Sequence, residues 1–176
     1  MFRVLYAIVL GLLGGVIIHI CVLLLISHYT RKSIWFQILQ SSPPYRLQTL
    51  DLENPIMKTS DSLFRLATCY FHLTDEPVHI TARGHVPFWS LSLYNAMGIN
   101  VYSINNYTAP NGVLDMVVSA PIQATVFKKS IHMDTVLTVQ NTENAFLILR
   151  VFRPSSDWDK RVAAFFASVN CKRIND

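Results

Sequence analysis

The histidines after residue 62 are the side chains best suited to acid–base or metal chemistry: His72, His79, His85 and His132. No two of them stand four residues apart, and none joins a Cys/His cluster at the spacing of a zinc site. His72 and His79 could meet across a hairpin. A pocket lined by His72, His79 or His132 together with Asp134 would indicate catalysis. The spacing by itself favours surface or core histidines, so we expect no bound metal, no cofactor and no enzyme.

The carboxylates give no stronger indication of catalysis. Asp115 and Asp134 are isolated in the sequence and are typical of turns or strand edges. The chain has no Gly-x-Ser-x-Gly elbow, phosphate-binding loop or dinucleotide fingerprint.

Aromatic side chains provide a candidate binding surface. Tyr94, Tyr102 and Tyr107 come from one predicted hairpin and the loop that follows it. Tyr94 and Tyr102 are expected to lie opposite each other on the outer face. Such a pair either stabilises the hairpin or forms a surface for a ligand or partner.

An uncharged run at residues 4–26 determines where the other predicted elements lie relative to a membrane. A helix needs roughly 20 apolar residues to cross the hydrocarbon core of a bilayer. The run is longer than the apolar part of a signal peptide and is followed by no small-residue cleavage site. The sequence therefore predicts an uncleaved transmembrane anchor at 1–32, with its helix at about 4–26.

Small residues recur along one side of that helix. Ala7, Gly11, Gly15 and His19 are four residues apart, so they share a face. Small residues let two helix backbones approach closely in lipid, and a polar residue in a membrane favours a protein partner. The alternative is that glycine is simply common in membrane helices and His19 bonds its own backbone. The hypothesis is a helix partner, either a second protein or another copy.

The excess of basic residues is concentrated at the predicted membrane anchor. Arg3, Arg31 and Lys32 belong to the anchor, which leaves 12 Lys and Arg against 11 Asp and Glu elsewhere. That balance does not indicate nucleic-acid binding, which needs a basic patch on the folded domain. The flanking charges slightly favour a cytoplasmic C-terminal domain.

The cysteines favour the opposite orientation. Cys21 lies in the membrane helix, which leaves Cys69 and Cys171 outside it. They are either two free thiols or a disulfide, and a disulfide would persist in an oxidising periplasm. The hypothesis is a Cys69–Cys171 disulfide.

Beyond the anchor the pattern is mainly β. We expect a juxtamembrane helix and an extended connector at 33–62, with Trp35, Phe36 and Leu39 on the apolar side of that helix. A β-rich domain follows at 63–176. Its predicted strands are 63–73, 77–82, 89–93, 99–104, 113–119, 124–128, 135–140 and 144–152. The turn 95–98 predicts a hairpin, and the apolar run 144–152 predicts a central strand.

The last predicted element is an amphipathic helix packed on the sheet. Trp158, Val162, Phe165, Phe166 and Val169 form one apolar stripe at helical spacing. The fold class expected is thus a single transmembrane helix, then a sandwich-like β domain with a C-terminal helix.

Three stretches, at 64–73, 87–94 and 98–105, resemble the bacterial domain-of-unknown-function family numbered twelve fifty-four. The most specific are Phe-Trp-Ser-Leu-Ser-Leu-Tyr and Asn-Val-Tyr-Ser-Ile-Asn. The chain looks most like the short, membrane-anchored alphaproteobacterial members. In the family, a basic and an acidic residue flank the Phe after the Cys, where this chain has Tyr70 and His72.

The resemblance implies a β-sandwich facing the periplasm and no established catalytic residues. It also implies a protein partner, because the domain often occurs beside a second domain of unknown function. The first hypothesis is therefore a non-enzymatic accessory subunit of an envelope complex in the bacterial inner membrane. The alternative is a periplasmic lipid- or glycan-binding module, which predicts an open apolar pocket between sheet and helix.

Overall fold

Buried and half-buried side chains alternate along Trp89–Leu93, the pattern of a strand with one face against a core. The computed structural model describes residues 2–41, 43–50, 53–58, 61–74, 76–127 and 132–174. Its elements in chain order are α1 (Phe2–Ser41), β1 (Gln48–Thr49), α2 (Pro55–Lys58), β2 (Phe64–His72), β3 (Val78–Ala82), β4 (Trp89–Asn95), β5 (Asn100–Asn105), β6 (Leu114–Ser119), α3 (Pro121–Phe127), β7 (Val136–Val139), β8 (Asn144–Phe152), α4 (Asp159–Ser168) and β9 (Asn170–Arg173). Single turns of 3-10 helix stand at Pro110–Gly112 and Ser156–Trp158.

The strands form two sheets. The large sheet has the order β1-β2-β8-β4-β5, and the small sheet has the order β7-β6-β3-β9. All pairs are antiparallel except β6 and β7, which are parallel and joined through α3. The fold is the expected one, an N-terminal apolar helix followed by a mainly-β domain of two sheets and a C-terminal helix.

One apolar core lies between the sheets. Phe71 and Leu147 of the large sheet and Ile80 and Met116 of the small sheet are fully buried there. From α4, the buried residues Val162, Phe165 and Phe166 join the same core. The predicted stripe of the C-terminal helix is therefore core, with Trp158 half-buried at its start.

The predicted central strand is confirmed. β8 pairs with β2 on one side and with β4 on the other. Leu147 and Leu149 point into the sandwich, whereas Phe146 and Ile148 are buried on the outer face of the large sheet. Burial on both faces explains why this strand is almost continuously apolar.

The predicted β4–β5 hairpin is also confirmed, with a turn closed by backbone hydrogen bonds between Asn95 and Ile99 and between Gly98 and Asn95. Gly98 has a φ of 72°, which a residue without a Cβ adopts at little cost. The hairpin carries a bulge between Leu93 and Tyr94.

The anchor and the predicted juxtamembrane helix are one continuous helix of 40 residues, α1. It ends at Ser41, before the two prolines, as their lack of backbone donors predicts. The connector that follows packs on the domain: β1 pairs with β2, and Leu50 and Met57 are buried. Of the three residues predicted for the apolar side of that helix, Trp35 and Leu39 pack on the domain, whereas Phe36 is 59% exposed.

Two local predictions are wrong. Residues 124–128 were expected to form a strand, but Pro121–Phe127 is the helix α3. The Gln123 side chain accepts a hydrogen bond from the Ala120 backbone N–H at 2.9 Å, which caps the first turn. His72 and His79 do not meet across a hairpin, because β2 and β3 belong to different sheets. The predicted strand end Lys128 and turn residue Asp75 lie outside the described residues.

Candidate functional site

The apolar part of α1 is long enough and apolar enough to span a membrane. That part is Phe2–Ile26, and none of it is buried against the rest of the protein. Ala7, Gly11, Gly15 and His19 are all exposed on it. No atom outside the helix lies within 4 Å of a Cβ built on Gly11 or Gly15. The predicted packing face is therefore open along the helix.

The far end of α1 is fixed to the outer face of the large sheet. Ile38 is only 1% exposed and packs in a cluster with Tyr70 and Phe146. The Trp35 ring lies 6.2 Å from the Tyr70 ring and 5.8 Å from the Phe146 ring, centroid to centroid. The described parts of α1 and the β domain are thus joined by an aromatic contact.

A disulfide joins the two sheets. Cys69 on β2 and Cys171 on β9 are bonded, with Cα atoms 6.8 Å apart, and both residues are buried. The bonded cysteines are 102 residues apart in the sequence. In the chain-entropy model, closing a loop of that size stabilises the fold by about 4–5 kcal/mol. Cys171 lies on the short strand β9, which the sequence did not indicate.

The predicted aromatic surface is absent from the described structure. Tyr102 pairs with Leu93, and beyond the bulge Tyr94 pairs with Asn100, so the two tyrosines are not opposite each other. Tyr102 consequently packs against the core, whereas Tyr94 stacks on Phe146 on the outer face, 5.1 Å away with ring planes 11° apart.

Tyr107 remains exposed at the tip of the following loop. Its ring centroid lies 6.0 Å from that of Phe88, and 79% of the residue is accessible. The three tyrosines therefore occupy separate environments and do not form one binding surface.

The histidines are distributed over different places. His72 is hydrogen-bonded to Asn144 at the end of β2. On the outer face of the small sheet, His79 Nε2 lies 2.8 Å from Asp115 Oδ1. Asp115 also lines an open pocket of about 330 Å³ with His132 and Asp134.

That pocket has the composition that the enzyme hypothesis required. His132 and Asp134 are both exposed on its wall, however. Within the described residues, no three His, Cys, Asp or Glu side chains are grouped so as to hold a metal ion. The arrangement is a surface hydrogen bond beside a shallow pocket.

A larger opening lies between the edge strand β1 and helix α4. This β1–α4 cleft has a volume of about 610 Å³ and a mostly apolar lining. Its position matches the open pocket between sheet and helix that the binding-module hypothesis predicts. Its apolar wall consists of Leu47, Leu50, Leu66, Val162, Ala163, Phe166 and Ala167.

Two charged side chains stand at the β1–α4 cleft. Both carboxylate oxygens of Asp159 accept hydrogen bonds from Arg153 Nη1, at 2.8 and 2.9 Å. Arg65 also lines the cleft, and no hydrogen bond or ion pair within the described residues engages its side chain. Periodicity does not reveal the β1 wall of this cleft, because β1 is only two residues long.

Comparisons with known proteins show the fold but no function. No family model matches the chain, and no curated protein matches it. Among solved structures, the VPA0106 protein from Vibrio parahaemolyticus has a TM-score of 0.64 at 10% identity. The match covers 85% of this chain and 35% of the Vibrio chain, so this chain spans about a third of that protein.

An uncharacterised protein from Burkholderia cenocepacia is a weaker match. It has a TM-score of 0.47 at 12% identity, covering 72% of this chain and 33% of that one. At that TM-score the likeness supports no conclusion.

Proposed function

We propose that this chain is a single-pass protein of the bacterial inner membrane that acts as a non-enzymatic accessory subunit of an envelope complex. Its helix packs on a membrane helix of a partner through Ala7, Gly11, Gly15 and His19. Its β domain stands in the periplasm and docks the partner's own domain. The partner is either a membrane protein that carries the companion domain of unknown function or a second copy of this chain.

The observation that carries this proposal is the packing contact between α1 and the large sheet. Trp35 and Ile38 lie on the same helix as the apolar span and are held by Tyr70 and Phe146. A partner helix that packs on the open face of the span therefore also positions the β domain. An anchor that served only as a tether would need no such contact.

Two further observations support the compartment and the partner. The disulfide between Cys69 and Cys171 is of the kind that persists outside the reducing cytosol. The same fold takes up 35% of the Vibrio chain, so in that protein it is joined to further polypeptide.

The test is affinity purification of the tagged full chain from its own membranes in mild detergent, followed by mass spectrometry. The Gly11→Leu/Gly15→Leu variant places bulk on the proposed contact face. The matched control is Leu13→Phe/Ile20→Phe, which adds bulk on the opposite side at 100° per residue. Differently tagged copies expressed together report self-association.

The proposal predicts a stoichiometric membrane partner with the wild type and the control, and its loss with the glycine variant. A chain that purifies alone from native membranes, or a partner retained equally by both variants, would contradict it.

A further inference from the structure

The β1–α4 cleft is an apolar opening that the fold leaves unfilled. Val162 and Phe166 form its floor and are buried in the core, whereas Ala163 and Ala167 are exposed at its wall. These two alanines are one helical turn apart, so their short side chains leave a continuous channel along α4. A volume of about 610 Å³ is in the range of small-molecule sites.

The two charged side chains that line the cleft in the described structure, Arg65 and Asp159, form no ion pair with each other. The carboxylate of Asp159 is compensated by Arg153, which donates to both of its oxygens. Arg65 has no counter-ion within the described residues. A guanidinium group presents a planar fork of donors that matches a carboxylate or phosphate. Within the described residues, the cleft therefore combines a guanidinium that has no ion pair with an apolar channel.

The cleft also adjoins the place where the membrane helix is docked. Leu50 and Leu66 line it and belong to the same buried cluster as Ile38. Ile38 follows the end of the apolar span, Ile26, by twelve helical residues, which is about 18 Å along the axis. If Phe2–Ile26 spans a bilayer, the cleft thus stands on the side of the membrane where α1 docks on the domain.

We infer that the β1–α4 cleft binds a single-chain anionic lipid, a fatty acid, with its carboxylate on Arg65 and its acyl chain along Ala163 and Ala167. A sugar is a poorer fit, because carbohydrate recognition needs several converging polar groups and this lining is mostly apolar. Each methylene buried from water strengthens binding by about fourfold. The inference does not depend on the proposed protein partner.

The experiment uses the full chain in nanodiscs of zwitterionic phospholipid and a photoactivatable palmitic acid, with labelled peptides mapped by mass spectrometry. A photoactivatable palmityl alcohol tests the need for the negative charge. A photoactivatable phosphatidylglycerol placed in the nanodisc tests the bilayer as an alternative source. Labelling of the span Phe2–Ile26 in every sample shows that the probe has reached the protein.

Five variants identify the site. Ala163→Trp and, independently, Ala167→Trp fill the channel, while Ala164→Trp places the same bulk on a neighbouring exposed position that does not line the cleft. Arg65→Gln removes the cation, and Arg65→Lys keeps the charge without the planar fork.

The expected result is palmitate labelling of β1 and α4 that is lost with both channel-filling variants and retained by Ala164→Trp. Arg65→Gln should weaken that labelling by about tenfold and Arg65→Lys by less. The inference is overturned if the palmitic acid probe does not label the cleft or if the three tryptophan variants are labelled alike. It is also overturned if the palmityl alcohol labels the cleft as well as the acid does, or if only the phosphatidylglycerol probe labels it. If a parallel purification shows no protein partner, the accessory-subunit proposal fails, but the expected labelling of the cleft stays the same.

Discussion

Cys69 and Cys171 hold the two sheets of the sandwich together through a buried disulfide, with Cα atoms 6.8 Å apart. Replacing both with alanine should lower the free energy of unfolding by about 2–5 kcal/mol, because the unfolded chain loses its crosslink. Urea unfolding of the full chain in micelles, followed by tryptophan fluorescence, measures the change. Cys21→Ala is the matched control, since Cys21 is a free, exposed cysteine on the span.

Thiol counting on the same samples gives an independent check. Wild-type protein extracted from membranes under blocking conditions should react at Cys21 alone. Reaction at Cys69 and Cys171 as well would refute the disulfide and remove the main support for an oxidising compartment.

The packing of α1 on the sheet yields a second prediction. Ile38→Ala should destabilise that contact by about 2–5 kcal/mol, since Ile38 is buried. Hydrogen exchange should then accelerate in the last turns of α1 and leave the core strand β8 protected. Phe36→Ala, at a residue that is 59% exposed, should change exchange little. Equal effects of the two substitutions would contradict the docking of the helix.

The different environments of Tyr94 and Tyr107 can be tested by comparing the stabilities of two alanine variants. Tyr94→Ala removes a stacked pair with Phe146, worth about 0.5–1.5 kcal/mol beyond the buried area. Tyr107→Ala, at an exposed loop position, should change stability by no more than about 0.5 kcal/mol. Denaturant midpoints of the two variants provide the comparison, and a larger loss at Tyr107 would count against the register described for the hairpin.

Gly84 sets the path of the chain beside α4. Its φ is 121°, a conformation that residues with a Cβ rarely adopt, although a Cβ would have room at 3.5 Å from Phe165. Gly84→Ala should therefore cost about 1–3 kcal/mol through backbone strain. The control is Arg83→Ala, at an exposed neighbour that should be nearly neutral. A neutral Gly84→Ala in thermal unfolding would show that this backbone relaxes freely.

Periodicity was enough to predict most of the elements. The alternating run from Trp89 to Leu93 is typical of a strand with one face in the core. The continuous apolar run of β8 is typical of a central strand that is buried on both faces. The helix α3 was missed because its first turn depends on a hydrogen bond from Ala120 N–H to Gln123, a local contact that a hydrophobic pattern does not show.

The candidate sites were harder to predict because they depend on how distant segments meet. The register of the hairpin pairs Tyr102 with the buried Leu93, which places Tyr102 on the core side and not opposite Tyr94. The β1–α4 cleft joins a two-residue strand to a helix more than a hundred residues away. Neither relationship follows from spacing along the chain.

The most direct test of the accessory-subunit proposal is photocrosslinking within native membranes from single positions on α1. A photoreactive amino acid at Ala7 lies on the proposed contact face, and the same residue at Val9 lies on the opposite side of the helix. The proposal predicts a discrete protein adduct from Ala7 and none from Val9. Protein adducts of equal yield from both positions, or lipid adducts alone from both, would contradict it.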